Sequence, residues 1–189
     1  MPVERPGQAR SGRVRIIGGT LRNSRLPVPS VDGLRPTPER VRETVFNWLA
    51  PVIAGAHCLD LCAGTGAFGI EALSRGAAVV SFVEREPRLA QALRVNLERL
   101  GVGGEVVVAD AYAWLRGAPR AYDVVFLDPP FALELWTTLA GQLETGGWLA
   151  PGAMVYVEWP GHQAPELPAN WSVHREGRAG AVHYALMRA

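Results

Sequence analysis

The 189-residue sequence predicts a doubly wound α/β fold on a mostly parallel sheet, and three observations predict it. From His57 onward, short apolar runs alternate with helix-period segments, as β-α-β crossovers require. The run Cys58 to Leu61 leads into Gly64-Thr65-Gly66-Ala67-Phe68-Gly69, a glycine turn between a strand and a helix. The run Val124-Val125-Phe126-Leu127 ends on Asp128-Pro129-Pro130-Phe131, which continues neither a strand nor a helix, because each proline fixes φ and removes an N–H. Ligands of open α/β sheets bind beyond the carboxyl ends of the strands, so both turns stand where chemistry is expected.

The elements follow in chain order. Val14 to Ile17 reads as a short strand, Gly18-Gly19 as a turn, and Leu26-Pro27 as the end of a return strand, giving a β-hairpin. After a Pro/Ser/Gly connection from Val28 to Leu34, Thr37 is suited to cap a helix and Pro38 to open it. That helix places Val41, Val45, Trp48, Leu49 and Val52 on one stripe, with Arg40, Glu43 and Asn47 on other faces. Then come the strand Cys58 to Leu61, a helix from Ala67 to Arg75 stopped by Gly76, the strand Val79 to Glu84, and a helix from Pro87 to Gly101. Glu105 to Ala109, a short helix through Trp114, the strand Tyr122 to Leu127 and a helix over Leu133 to Leu143 complete the alternation. Beyond Gly146-Gly147, the strand-like runs Met154 to Trp159, Trp171 to His174 and Val182 to Met187 lack long helices between the last two, so the sheet should finish on an antiparallel hairpin.

Composition narrows the function. All 19 basic residues are arginine, which removes a Walker-type lysine, a Schiff base and a pyridoxal site. The net charge of +1 is unevenly spread: residues 1–50 hold nine arginines against four acids, and the rest ten against fourteen. An Arg-rich arm on a mildly acidic body fits an anionic partner. Cys58 and Cys62 lack a second pair for zinc and read as small packing residues, so no metal site is expected. With neither a membrane-length apolar run nor a signal segment in Met1 to Gly12, a soluble, cytoplasmic protein with no membrane contact is expected.

Two motifs carry chemistry. Gly64 to Gly69 matches the dinucleotide pattern G-x-G-x-x-G, but Asp60 precedes it by four residues and would repel a pyrophosphate. An ammonium-bearing ligand would favour that carboxylate. S-adenosylmethionine fits, having an ammonium, a sulfonium and no phosphate; Glu84 ends the next strand and can accept from ribose hydroxyls, and Asp110 ends the third and can accept from an adenine amino group. The cofactor set is Asp60, Ala63, Gly64, Thr65, Gly66, Glu84, Asp110 and Ala111. Asp128, Pro129, Pro130 and Phe131 form the catalytic set: a stiff loop whose acid and Pro129 carbonyl can accept two N–H bonds from a planar amine, with Phe131 stacking on its ring.

Asp-Pro-Pro-Phe with this cofactor loop resembles the seven-stranded class I S-adenosylmethionine-dependent methyltransferases that modify exocyclic amino groups of purines. Arg15-Ile16-Ile17-Gly18-Gly19, Gly33-Leu34-Arg35-Pro36-Thr37, Arg40-Val41-Arg42-Glu43-Thr44 and Phe46-Asn47-Trp48-Leu49 narrow this further. They resemble bacterial 16S ribosomal RNA guanine-N2 methyltransferases, and the resemblance runs from about Arg13 to Phe131. It implies an RNA-binding hairpin-and-helix extension over residues 1–53, a methyltransferase domain over 54–189, and a monomer acting on 16S rRNA in a 30S subunit or assembly intermediate. It also implies RNA contacts by Arg13, Arg15, Arg22, Arg25, Arg35 and Arg40, although Arg22-Asn23-Ser24-Arg25 is a less dense basic run than the family's. Adenine-N6 methylation of DNA or RNA, an NAD-dependent oxidoreductase and a non-catalytic RNA-binding assembly factor are the alternatives. A base held in folded RNA would have to be swung out to react.

Overall fold

The computed structural model describes residues 12–31, 34 and 36–189. The tail before Gly12, Gly33 and Arg35 lie outside the described residues. Strands β1 (Gly12–Arg15) and β2 (Arg25–Val28) form the expected antiparallel hairpin. Its connection is longer than a Gly18-Gly19 turn. Pairing continues through Ile16, whose N–H donates to the Ser24 carbonyl at 2.9 Å while its own carbonyl accepts from Asn23 at 2.8 Å. The two glycines instead dock the arm on a helix: Ser74 Oγ donates to the Gly18 carbonyl at 2.5 Å, and a Cβ on Gly19 would overlap the Ser74 carbonyl oxygen.

Helix α1 (Glu39–Leu49) starts at Pro38 as its cap residue, in extended backbone with ψ of 143° and no capping side chain. Thr37 is therefore not the cap, and its hydroxyl is engaged elsewhere. The buried face holds Val41, Arg42, Val45, Phe46 and Leu49. Of the expected stripe, Trp48 is half-buried and stacks on Tyr184 at 5.7 Å, and Val52 lies past the helix end and is exposed.

The remaining elements are β3 (His57–Leu61), α2 (Ala67–Ser74), β4 (Val79–Glu84), α3 (Pro87–Leu100), β5 (Glu105–Val108), α4 (Ala111–Trp114), β6 (Tyr122–Leu127), α5 (Trp136–Thr145), β7 (Leu149–Pro160), β8 (Ser172–Ala179) and β9 (Val182–Arg188). The sheet order β5-β4-β3-β6-β7-β9-β8 gives seven strands, parallel from β5 to β7 and antiparallel through β9 and β8. This is the α/β, Rossmann-like doubly wound fold expected, C-terminal hairpin included. One helix differs: a 3-10 turn (Phe131–Leu133) and Glu134 at φ 49° intervene before α5, so that helix starts three residues later than its periodicity suggested.

Strand side chains alternate between faces, and the core divides accordingly. Cys58, Phe82, Phe126 and Tyr156 face the hairpin, α1 and α2, with Val14, Leu26, Phe46 and Phe68. Leu59, Val83, Val125, Leu127 and Val157 face α4 and α5, with Leu115, Trp136, Leu139 and Trp148. The N-terminal elements thus share one apolar layer with the sheet. No described helix is long and apolar enough to cross a membrane.

Candidate active site

The strand order reverses between β3 and β6, from which crossovers run outward in opposite directions, and such a switch opens a crevice at the strands' carboxyl ends. Both sequence motifs border it. In the parallel register Asp60 lies beside Phe126 and Leu61 beside Leu127, so the glycine turn and the Asp-Pro-Pro-Phe loop leave the sheet side by side.

The turn is held by its own acids. Asp60 Oδ2 accepts from Gly69 N at 2.9 Å, and Glu84 accepts from Gly64 N at 2.7 Å and from Glu86 N at 2.8 Å. Gly64 (φ 54°) and Gly66 (φ 74°) occupy the left-handed region, and a Cβ at Gly66 would strike Leu93. Ala63 N donates to the Val83 carbonyl, and Thr65 Oγ1 accepts from Ala67 N at 3.2 Å, fixing the helix entrance. Asp110 caps α4 through Ala113 N at 3.0 Å and is exposed, with Ala111 buried behind it. Each carboxylate keeps acceptor capacity beyond these bonds. Leu34, from the connection before α1, lies over Gly64.

Alternation also gathers what the sequence reading left apart. Asp60 on β3, Asp128 at the residue just past the end of β6 and Glu158 on β7 continue the side-chain alternation of the face that carries Cys58, Phe126 and Tyr156. Thr37 Oγ1 donates to Asp128 Oδ2 at 3.4 Å, and the same hydroxyl faces Glu158. Tyr156 donates to Glu158 Oε2 at 2.5 Å, and Trp136 Nε1 donates to the Glu158 carbonyl at 2.7 Å. Glu158, Tyr156 and Thr37 escaped the sequence reading. The first could have been found by the rule that singled out the others, an acid closing an apolar strand run.

Asp60 and Glu158 are buried and Asp128 is half-buried, and among the described residues none of the three has an opposite charge as a hydrogen-bond partner. Among the described residues, the hydrogen-bond donors to Asp60, Asp128 and Glu158 are backbone N–H groups and hydroxyls, with no arginine. Burial pushes the Asp60 carboxyl up to about 7, with the Gly69 N–H opposing the rise and Glu84 adding to it. Burial, then Glu158 and Asp60, drive Asp128 well above the carboxylate range, and Thr37 moderates this. Burial raises Glu158 too, against its bonds from Tyr156 and Thr37. Burial likewise raises both thiols, Cys58 to about 12, which leaves them protonated at neutral pH.

In the loop, Pro129 is buried, Pro130 is exposed, and Phe131 is half-buried with its ring 5.7 Å from Trp136. The Pro130 carbonyl accepts from Leu133 N, and among the described residues no backbone bond ends on the Pro129 carbonyl. On the arm, Arg13, Arg22, Arg25 and Arg40 are exposed, while Arg15 pairs with Glu39 and donates to Asn23. Such a crevice suits a ligand that is cationic at one end and rich in N–H and O–H donors.

Comparison with known proteins bears on the ligand. Residues 14–188 match the family described as Conserved hypothetical protein 95, so the match continues past Gly146 to the C-terminal hairpin. Ribosomal RNA small subunit methyltransferase D of Escherichia coli K12 is 48% identical over 186 residues, which cover 97% of this chain and 94% of the relative. The Haemophilus influenzae protein of that name is 42% identical, with 93% of each chain covered. Among solved structures, the putative methyltransferase yhhF of Escherichia coli superposes with a TM-score of 0.88 at 46% identity, over 94% of this chain and 98% of the other.

Proposed function

The chain belongs to the Conserved hypothetical protein 95 family, among bacterial small-subunit ribosomal RNA methyltransferases, and from that premise we propose that it methylates the exocyclic N2 amino group of one guanine in 16S rRNA. S-adenosylmethionine is the methyl donor, and ribosomal RNA methylation is the reaction class. The observation that carries the finer reading is the set of buried and half-buried carboxylates at the switch point that have no basic partner among the described residues. They suit a cationic donor beside an amine-bearing base.

The chain's residues fit that donor. The Gly64 to Gly66 turn gives close backbone approach, Asp60 and Glu84 supply negative charge and hydroxyl acceptors, and Asp110 with Ala111 borders the adenine end. When bound, S-adenosylmethionine supplies an electrophilic methyl on a sulfonium. Asp128 and the Pro129 carbonyl accept the two hydrogens of the guanine amine, which favours a pyramidal nitrogen with its lone pair directed at that methyl. As the N–C bond forms and the S–C bond breaks, positive charge passes to the nitrogen. Asp128, more basic than an ordinary carboxylate, takes the surplus proton and later yields it to water. Phe131 holds the extruded base by stacking, an interaction worth roughly 1–3 kcal/mol. Arg13, Arg22, Arg25 and Arg40 supply phosphate contacts, with Arg15 a weaker contributor because Glu39 already holds it. Arg35 is assigned to the same set on its sequence position alone. The proposed substrate is 16S rRNA in the 30S subunit or an assembly intermediate, met by a monomer.

Methyl transfer to unmodified 16S RNA and to 30S particles, with the modified nucleoside identified by mass, tests the reading. N2-methylguanosine is the expected product. N6-methyladenosine would overturn it.

A further inference from the structure

Two purines carry an exocyclic amine, and the Asp-Pro-Pro-Phe loop recognises only the amine. They differ one atom away. Guanine bears a donor at N1, so its edge presents N1–H beside N2–H₂, whereas adenine presents a lone pair at N1 beside its amine. A site for guanine therefore needs a second acceptor beside the one that takes the amine. A site for adenine needs a donor there.

The structure supplies an acceptor. Val157 pairs with Leu127, which brings Glu158 beside Asp128 on the adjacent parallel strand, and side-chain alternation puts both carboxyls on one face. Glu158 is 8% exposed, and two groups fix it: Tyr156 OH on Oε2 and Trp136 Nε1 on its main-chain carbonyl. Tyr156 is fully buried, so the hydroxyl that orients Glu158 is itself locked by packing. A buried acid held on one oxygen by a neutral hydroxyl, with no arginine pairing with it among the described residues, retains lone pairs for an incoming N–H. The Arg42 side chain, bonded to the main chain of Thr37, spends its Nε and one Nη on the carbonyls of Thr37 and Arg15 instead.

We propose that Glu158 reads the guanine N1–H, so that Asp128 and Glu158 together form a two-acceptor edge that accepts guanine and rejects adenine. This inference rests on the guanine-N2 reading above and names the residue that enforces it. Adenine would set its N1 lone pair against a buried carboxylate, leaving both unsatisfied, and sites built around a substrate hydrogen bond discriminate strongly against analogues lacking the donor.

The test uses 16S RNA fragments, assembled into 30S particles, carrying guanine or 2-aminopurine at the target position. 2-Aminopurine keeps the 2-amino group but has a lone pair at N1. The wild-type enzyme should methylate guanine at least about 30-fold faster than 2-aminopurine, because a site built to hydrogen-bond a substrate N–H rejects the analogue lacking it. Glu158→Gln can turn its amide N–H toward that lone pair and should shrink the ratio at least about fivefold, with S-adenosylhomocysteine affinity unchanged as the sign of a folded protein. Tyr156→Phe, which frees Glu158 without removing it, should give an intermediate ratio and serves if the glutamine variant fails to fold. Equal rates on both bases with wild-type enzyme, or a ratio unmoved in a folded variant, would overturn the role of Glu158 while N2-methylguanosine as product keeps the guanine reading. N6-methyladenosine as product would remove both.

Discussion

Glu71 and Asp128 are acids inside the same molecule, treated in opposite ways. Glu71 is fully buried on α2, where it accepts from Ile17 N and Gly18 N at 2.8 Å each and from Arg75 Nε at 2.9 Å, with Arg42 3.6 Å away. Asp128, about 60 residues further along, receives one hydroxyl and, among the described residues, no cation. The first acid is fully compensated by the chain itself and fastens the N-terminal arm to the helix that follows the glycine turn. The second is left for a ligand to compensate. Charge pairing thus separates a structural carboxylate from a functional one.

The largest effect should come from the uncompensated acid. Asp128→Ala is expected to lower kcat by about 10³-fold or more, equal to roughly 4 kcal/mol of barrier, while S-adenosylhomocysteine binding stays nearly unchanged. Single-turnover methylation reads this, and activity within about tenfold of wild type rules out the role.

At the paired acid the loss should appear in stability instead. Glu71→Ala strands Arg42, whose guanidinium already has one nitrogen without a hydrogen-bond partner and is depressed by burial against the pull of Glu71. Removing one partner of a buried pair costs about 3–5 kcal/mol. Urea unfolding should register that loss, whereas Asp128→Asn should leave stability within about 1 kcal/mol or raise it. Equal destabilisation by both variants would erase the distinction drawn between them.

A pH experiment sharpens the contrast. Asp60 titrates near 7 in the fold and near 3.9 when unfolded, so the folded state holds the extra proton between these values. Stability from this group is therefore greatest at low pH and falls as pH rises from about 4 to about 7. A cationic ligand favours the ionised form, so S-adenosylmethionine should bind more tightly as pH rises through about 7, releasing a proton. Calorimetry in buffers of different ionisation enthalpy measures that release, and Asp60→Asn should remove it.

Thr37→Val is a smaller perturbation. The hydroxyl lowers the Asp128 pKa, so its loss should shift the acid limb of the pH–rate profile upward with less than about a tenfold change in the limiting rate. Smallest of all are the arm arginines taken singly. Arg22→Ala or Arg40→Ala should weaken RNA binding modestly and reduce the salt slope by about one, with Arg15→Ala falling short of that. Deleting residues 1–30 is a poor substitute, because it would remove Val14, Ile16, Leu26 and Val28 from the core along with the charges.

Much of the fold was legible because local rules and tertiary packing agree. The strand from Val79 to Glu84 and the helix between Pro87 and Gly101 end where sequence puts them, since the apolar run, the first-turn proline and a left-handed glycine at φ 67° act on neighbouring residues. Thr37 looked like a cap by the same local logic, yet its hydroxyl serves a carboxylate 91 residues away. Gly18-Gly19 resembled a hairpin turn, but close approach to Ser74 is what calls for glycine there.

By itself, the sequence determined the alternating sheet, the two loops at strand ends and the acids that mark them, because periodicity, proline and glycine constrain the backbone within a few residues. Only the tertiary structure decided which acids meet. Strand order and parallel register placed Asp60, Asp128 and Glu158 on one face, and the arm's packing brought Thr37 to them while closing Arg42 against Glu71. Neighbourhood across a sheet is fixed by hydrogen-bond register and burial between distant segments, which spacing along the chain does not encode.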